Sequence, residues 1–77
     1  MEGSPLGSEL LRNRLRVARA EQRLSQEQLA SLAGVTRQTI SSIENDQYCP
    51  SALLAFVLAK RLGKPVADLF YIEGGTP

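Results

Sequence analysis

The segment 24–44 constrains this chain more than any other, because it carries the start and stop signals of two helices back to back. Ser25 is a favoured N-cap, and Gln28 three residues later completes a capping box. Leu24 before the cap and Leu29 inside the first turn can staple the start of the helix. Gly34 is the residue type on which helices stop, since it adopts a left-handed conformation without a Cβ penalty. Thr36 then caps a new helix at once, with Val35 and Ile40 as its staple. A turn this short fixes the angle between the two helices. Ala30 is small where they must approach. The inward positions are Leu29, Ala30 and either Leu32 or Ala33 on the first helix, and Ile40 and Ile43 on the second. Arg37, Gln38, Ser41 and Ser42 are left on the outer face of the second. The same spacing also suits an ordinary αα-hairpin in a helical bundle.

The flanks extend the helical pattern. Leu11, Leu15 and Ala18 recur at helical spacing and predict a first helix over 13–22. Ser51 after Pro50 caps a fourth helix, whose stripe is Leu54, Leu58 and Leu62 and whose stop is Gly63. Pro65 opens a short fifth helix through about Leu69. Phe70, Tyr71 and Ile72 have strand character. Residues 1–8, with two Gly, two Ser and a Pro, read as a flexible leader, and 74–77 as a loose tail, which leaves one domain over 9–73. A domain in a chain of 77 residues has a marginal core, and dimerisation is a common remedy.

Several chemistries are excluded by what the chain lacks. It has no histidine and one cysteine, so it can form no internal disulfide and no metal cluster. It shows no nucleophile–base pair in recognisable context and no Gly-rich phosphate cradle, so we expect neither an enzyme nor a cofactor. No apolar run is long enough to span a bilayer and the N-terminus lacks a signal-peptide pattern, which predicts a reducing, cytoplasmic location. The net charge of +1 says little about nucleic acid, but its distribution says more. Arg12, Arg14, Arg16, Arg19 and Arg23 crowd together with only Glu21 opposing them. Such a run is either a phosphate-facing strip or a solvated helix face.

The stretches Leu24-Ser25-Gln26-Glu27-Gln28-Leu29-Ala30, Gly34-Val35-Thr36-Arg37-Gln38-Thr39-Ile40 and Ile43-Glu44-Asn45 resemble the Cro/phage-repressor-type helix-turn-helix, or XRE, family. The likeness continues through Tyr48, Pro50-Ser51, Leu58-Ala59, Leu62-Gly63 and Asp68-Leu69-Phe70. It looks closest to the small stand-alone dimeric regulators that include the cytolysin repressor. The resemblance implies an all-α, five-helix lambda-repressor-like domain that binds double-stranded DNA with two-fold related half-sites as a homodimer. The third helix would lie in the major groove, about 12 Å wide. In small dimeric relatives the terminal segments pair as antiparallel strands, and Leu10-Leu11 could pair here with the strand that carries Phe70 and Ile72.

The resemblance also assigns residues. Arg19 and Glu44 would form an ion pair between the first and third helices, shielding each other from the cost of burial alone. Arg37, Gln38 and Ser42 would read bases, since Arg can bond guanine and Gln adenine in bidentate fashion. Ser25, Gln26, Thr36, Thr39, Ser41, Asn45, Gln47 and Tyr48 would meet the DNA backbone, the first two at a helix N-terminus that favours phosphate. Leu69, Phe70, Tyr71 and Ile72 would build the dimer interface. Some positions depart from the pattern. Asp46 stands where relatives often carry Gly, and its charge is expected to face the phosphates. Cys49 replaces a frequent Asn, and Leu53 and Val57 widen the apolar face of the fourth helix. That widened face keeps open an antitoxin or another module with an unidentified protein partner on the same fold. A restriction–modification controller is a further reading, and expected to be a DNA-binding regulator as well.

Overall fold

A computed structural model describes residues 9–74. The order is β1 (Glu9–Asn13), α1 (Leu15–Glu21), α2 (Gln26–Ala33), α3 (Arg37–Glu44), α4 (Ala52–Leu62), α5 (Val66–Leu69) and β2 (Phe70–Gly74). Five helices form the body, and the two strands pair antiparallel with Leu11 opposite Ile72 and Asn13 opposite Phe70. The leader over 1–8 and the last residues of the expected tail, 75–77, lie outside the described residues.

The helix boundaries follow local capping chemistry. The Ser25 hydroxyl accepts from the Gln28 N–H, and the Gln28 side chain accepts from the Ser25 N–H, completing the box. The hydroxyls of Thr36 and Ser51 accept from the N–H groups of Thr39 and Leu54 in the same way. Gly34 (φ 75°) and Gly63 (φ 67°) stop α2 and α4 in the left-handed conformation, and the next N–H returns to the carbonyls of Ala30 and Ala59. Arg61 Nε adds a bond to the Leu32 carbonyl at 2.9 Å, tying α4 to the end of α2.

All five helices and the first residue of β2 contribute side chains to a single core. Leu15, Leu29, Ile40, Ile43, Leu58 and Leu69 are fully buried, and Ala18, Ala30, Ala55, Ala59, Leu62 and Phe70 fill the space between them. Ala33, not Leu32, takes the last inward position of α2, and Leu32 is exposed.

Two sequence expectations are corrected here. The first helix starts at Leu15, because Asn13 belongs to β1 and its side-chain Oδ1 accepts the Leu15 N–H at 3.1 Å. Arg14 N–H meanwhile donates to the Leu69 carbonyl at 2.8 Å. Leu11 lies on the ribbon opposite Ile72, as expected of a strand formed by Leu10-Leu11. Gly74 ends β2 and does not begin a tail.

The end of α1 carries strain. Arg23 sits at φ 57°, a left-handed conformation that costs a residue with a Cβ roughly 1–2 kcal/mol. Glycine removes that penalty but gives back part of it through its more flexible unfolded chain. Arg23→Gly is therefore expected to stabilise the fold by about 0.5–1 kcal/mol, read from urea melts. An unchanged or lower midpoint would mean that the Arg23 side chain contributes more than its backbone costs.

Candidate nucleic-acid interface

The helix pair α2–α3 presents one continuous polar surface, organised around a buried carboxylate. The Glu44 side chain is fully enclosed at the C-terminal end of α3. Arg19 Nε donates to Glu44 Oε2 at 2.7 Å and Arg19 Nη2 donates to Oε1 at 3.1 Å, a fork-to-fork pairing. Arg19 Nη1 donates to the Leu24 carbonyl at 2.8 Å, so the guanidinium also anchors the α1–α2 connection. Gln26, the first residue of α2, donates its amide to Glu44 Oε1 at 3.1 Å. Arg16 approaches the same oxygen at 3.5 Å.

Burial alone would push the Glu44 carboxyl up. The hydrogen bonds from Arg19 and Gln26, the charge of Arg19 and the contact with Arg16 outweigh it and hold the group below the usual carboxylate range. The same bond to Glu44 raises the already high Arg19 value against its own burial. One carboxylate thus joins α1, α2 and α3, and it fixes how α3 sits on the body.

The outer face of α3 carries its polar residues as follows. Arg37 and Gln38 are exposed on the first turn. Arg37 Nη1 donates to Gln26 Oε1 at 3.3 Å, and Gln38 Nε2 donates to Ser42 Oγ at 3.4 Å. Ser42 is half-buried one turn further along. These side chains are braced by their neighbours and still face outward, which limits the rotamer freedom they would lose on contact with a ligand.

The remaining residues expected at the backbone divide into two groups. Ser25, Thr36 and Thr39 spend their hydroxyls on helix caps or on each other, with 3.1 Å between the two Thr oxygens. Ser41 accepts from Asn45 Nδ2 at 3.4 Å, and Asn45 Oδ1 accepts from Arg16 at 2.9 Å. Gln47 and Tyr48 are exposed in the loop after α3, whose path is held by Gln47 N–H on the Ser42 carbonyl at 2.8 Å.

Other expectations are overturned. The Asp46 charge does not stand free toward a phosphate surface. Its carboxylate pairs with Arg12 at 3.4 Å and accepts from Asn13 Nδ2 at 3.3 Å, both on β1. Its φ of 60° explains why a glycine would suit the site. Leu69 and Phe70 are buried in the chain's own core and so are unavailable to a partner, whereas Tyr71 is half-buried, with Arg14 4.3 Å above its ring. Ile72 remains 64% exposed. On α4, Leu53 is 75% exposed but Val57 is half-buried, and Phe56, at 61%, is the other large apolar side chain in solvent. Leu10, Leu11, Ile72 and the exposed Cys49 line one apolar cleft between the ribbon and the loop.

The sequence reading missed two features. Asn13 Nδ2 donates to the Ile43 carbonyl at 2.9 Å, tying the ribbon to the last turn of α3. Arg16 joins the Glu44 cluster, and its spacing of three from Arg19 was the available signal, since residues three apart share a helix face. Among the described residues no group of His, Cys, Asp and Glu is placed to hold a metal ion, and no helix is long and apolar enough to cross a membrane.

Comparison with known proteins bears on this geometry. The profile of the helix-turn-helix family matches residues 15–69. An uncharacterized HTH-type transcriptional regulator of Methanocaldococcus jannaschii is 46% identical over 63 residues, covering 82% of this chain and 96% of that protein. The uncharacterized HTH-type transcriptional regulator YgzD of Bacillus subtilis is 40% identical over 63 residues, again covering 82% of this chain and 96% of its own length. Among solved structures, the restriction-modification controller protein C.AhdI from Aeromonas hydrophila superposes with a TM-score of 0.69 at 34% identity, over 71% of this chain and 80% of that one.

Proposed function

This chain belongs to the helix-turn-helix family of transcriptional regulators, of the XRE type, and we propose that it is a homodimeric repressor that reads a two-fold related operator. In this reading α3 enters the major groove. Arg37 and Gln38 bond base edges and Ser42 supports them. Gln26, Asn45, Gln47 and Tyr48 meet the backbone. Ser25, Thr36, Thr39 and Ser41 contribute there mainly by holding the helix ends whose N–H groups face phosphate. Repression follows from occupying a promoter, in the cytoplasm where the DNA lies.

The observation that carries the reading is the braced, outward-facing Arg37–Gln38 pair on the first turn of a helix anchored through Glu44. Two-fold symmetry places half-site centres about one helical turn, roughly 34–36 Å, apart. Duplexes selected from a random pool and titrated at physiological salt test this. Inverted repeats of that spacing should be preferred over random DNA, and an absence of preference overturns the regulator reading.

For the dimer, the support is the apolar surface left uncovered: Leu10, Leu11 and Ile72 on the ribbon, with Leu53 and Phe56 on α4. Leu10, Leu11 and Ile72 line one cleft, and exposed apolar groups gathered in this way favour association. Ile72→Glu combined with Leu10→Glu should give a folded monomer by light scattering at micromolar concentration. A folded variant that stays fully dimeric moves the interface to Leu53 and Phe56.

The likeness to the controller protein supports a second reading, control of a restriction–modification gene pair. Binding to a promoter of adjacent methyltransferase and endonuclease genes would favour it over a general repressor.

A further inference from the structure

The five arginines between positions 12 and 23 do not form one strip. The fold sends four of them to separate places. Arg12 bridges Asp46 and Glu73, Arg14 covers Tyr71, Arg19 is spent on Glu44, and Arg23 sits at the strained end of α1. Arg16 is different. Its side chain is 60% exposed and lies across the seam between α1 and the end of α3.

Its surroundings leave a surplus charge. Glu44 carries one negative charge, already matched by the two short bonds from Arg19. Arg16 Nε reaches Glu44 Oε1 only at 3.5 Å, longer than either bond from Arg19. Its firm contact is Nη2 donating to Asn45 Oδ1 at 2.9 Å. Asn45 is itself held by Ser41, so the guanidinium has a fixed position. Among the described residues the contacts of this guanidinium are made by Nη2 and Nε, which leaves Nη1 to a ligand. On the far side of Glu44 lies Gln26, bonded in turn to Arg37. Asn45, Arg16, Glu44, Gln26 and Arg37 therefore form one unbroken line of contacts. Counting Arg19 with them, three guanidinium charges face one carboxylate, an excess of two positive charges along this line.

We propose that Arg16 is a phosphate contact for duplex DNA, binding one phosphodiester next to the recognition helix through a guanidinium positioned by Asn45. This rests on the DNA-binding reading above and adds to it a residue outside the two helices of the motif. An arginine suits the place because its planar fork can bond Asn45 with one nitrogen and a phosphate oxygen with another. A backbone contact sets register and affinity but carries no sequence information. Arg16 should therefore affect selected and random duplexes alike.

The test is fluorescence anisotropy with a selected duplex and a random one, over roughly 50–200 mM salt. Wild type is compared with Arg16→Gln, Arg16→Lys and Lys60→Gln, the last removing one positive charge from the final turn of α4. Thermal melts establish that each variant is folded. Arg16→Gln should lower the slope of log affinity against log salt by about 1 and weaken both duplexes by about five- to tenfold. Arg16→Lys should retain most of the slope, and Lys60→Gln all of it. A wild-type slope in Arg16→Gln overturns the proposal, and so does a loss confined to the selected duplex. If wild type itself binds neither duplex, the DNA-binding reading fails and takes this proposal with it.

Discussion

Glu44→Ala is expected to cost the fold about 3–5 kcal/mol, most of the stability of a domain this small. The pair need not be very stabilising for this to hold. Replacing both members of a buried ion pair with apolar groups can be neutral, whereas removing one member strands the other. Here the stranded group would be the Arg19 guanidinium, of which only 16% is exposed, with the Gln26 amide losing its acceptor as well. Urea unfolding followed by circular dichroism measures the loss. A change within about 0.5 kcal/mol would class the contact with ordinary surface pairs. The pH dependence gives an independent check. Glu44 is held below its usual value in the folded chain, so its contribution is fully present above about pH 4.5 and disappears as the pH falls through the folded value. Wild type should lose stability across that acid range. Glu44→Gln should be less stable at neutral pH and should lose less on acidification.

Arg37→Ala and Gln38→Ala should each weaken binding to a selected operator by about 1–3 kcal/mol, with a smaller loss on random DNA. The two substitutions should also couple to their braces. Arg37 rests on Gln26 and Gln38 on Ser42, so Gln26→Ala and Ser42→Ala should lower affinity in part by freeing a neighbour. Competition titrations with selected and random duplexes separate the outcomes. Equal losses on both would assign Arg37 or Gln38 to phosphate and leave base reading to other residues of α3.

What could be read from the sequence was local. The caps at Ser25, Thr36 and Ser51 and the stops at Gly34 and Gly63 depend on residues within one turn, and their chemistry is written in adjacent letters. The outward placement of Arg37 and Gln38 followed from helical phase once those ends were known. Expectations failed where distant residues decide. The start of α1 depends on Asn13 pairing across the ribbon with Phe70. The direction of Asp46 depends on Arg12, 34 positions earlier in the chain and brought close only by that ribbon. The choice between Ala33 and Leu32, which the sequence left open, depends on how α2 packs in the core. On α4 the run Ala52-Leu53-Leu54-Ala55-Phe56-Val57-Leu58 is apolar on nearly every side. Periodicity therefore could not show that Phe56 rather than Val57 faces solvent.

The ribbon has a practical consequence for protein engineering. Glu9 and Gly74 are direct partners across it, so the chain enters and leaves the domain at one point, with strands about 5 Å apart. A short glycine-rich connector between them would turn the domain into a ring. New ends could then be opened in the connection after α4, where Gly63 and Pro65 are exposed and Lys64 is half-buried. Such a permuted chain would keep every helix of the reading surface, and the ribbon would hold its register by covalent closure instead of by pairing residues from opposite ends of the chain.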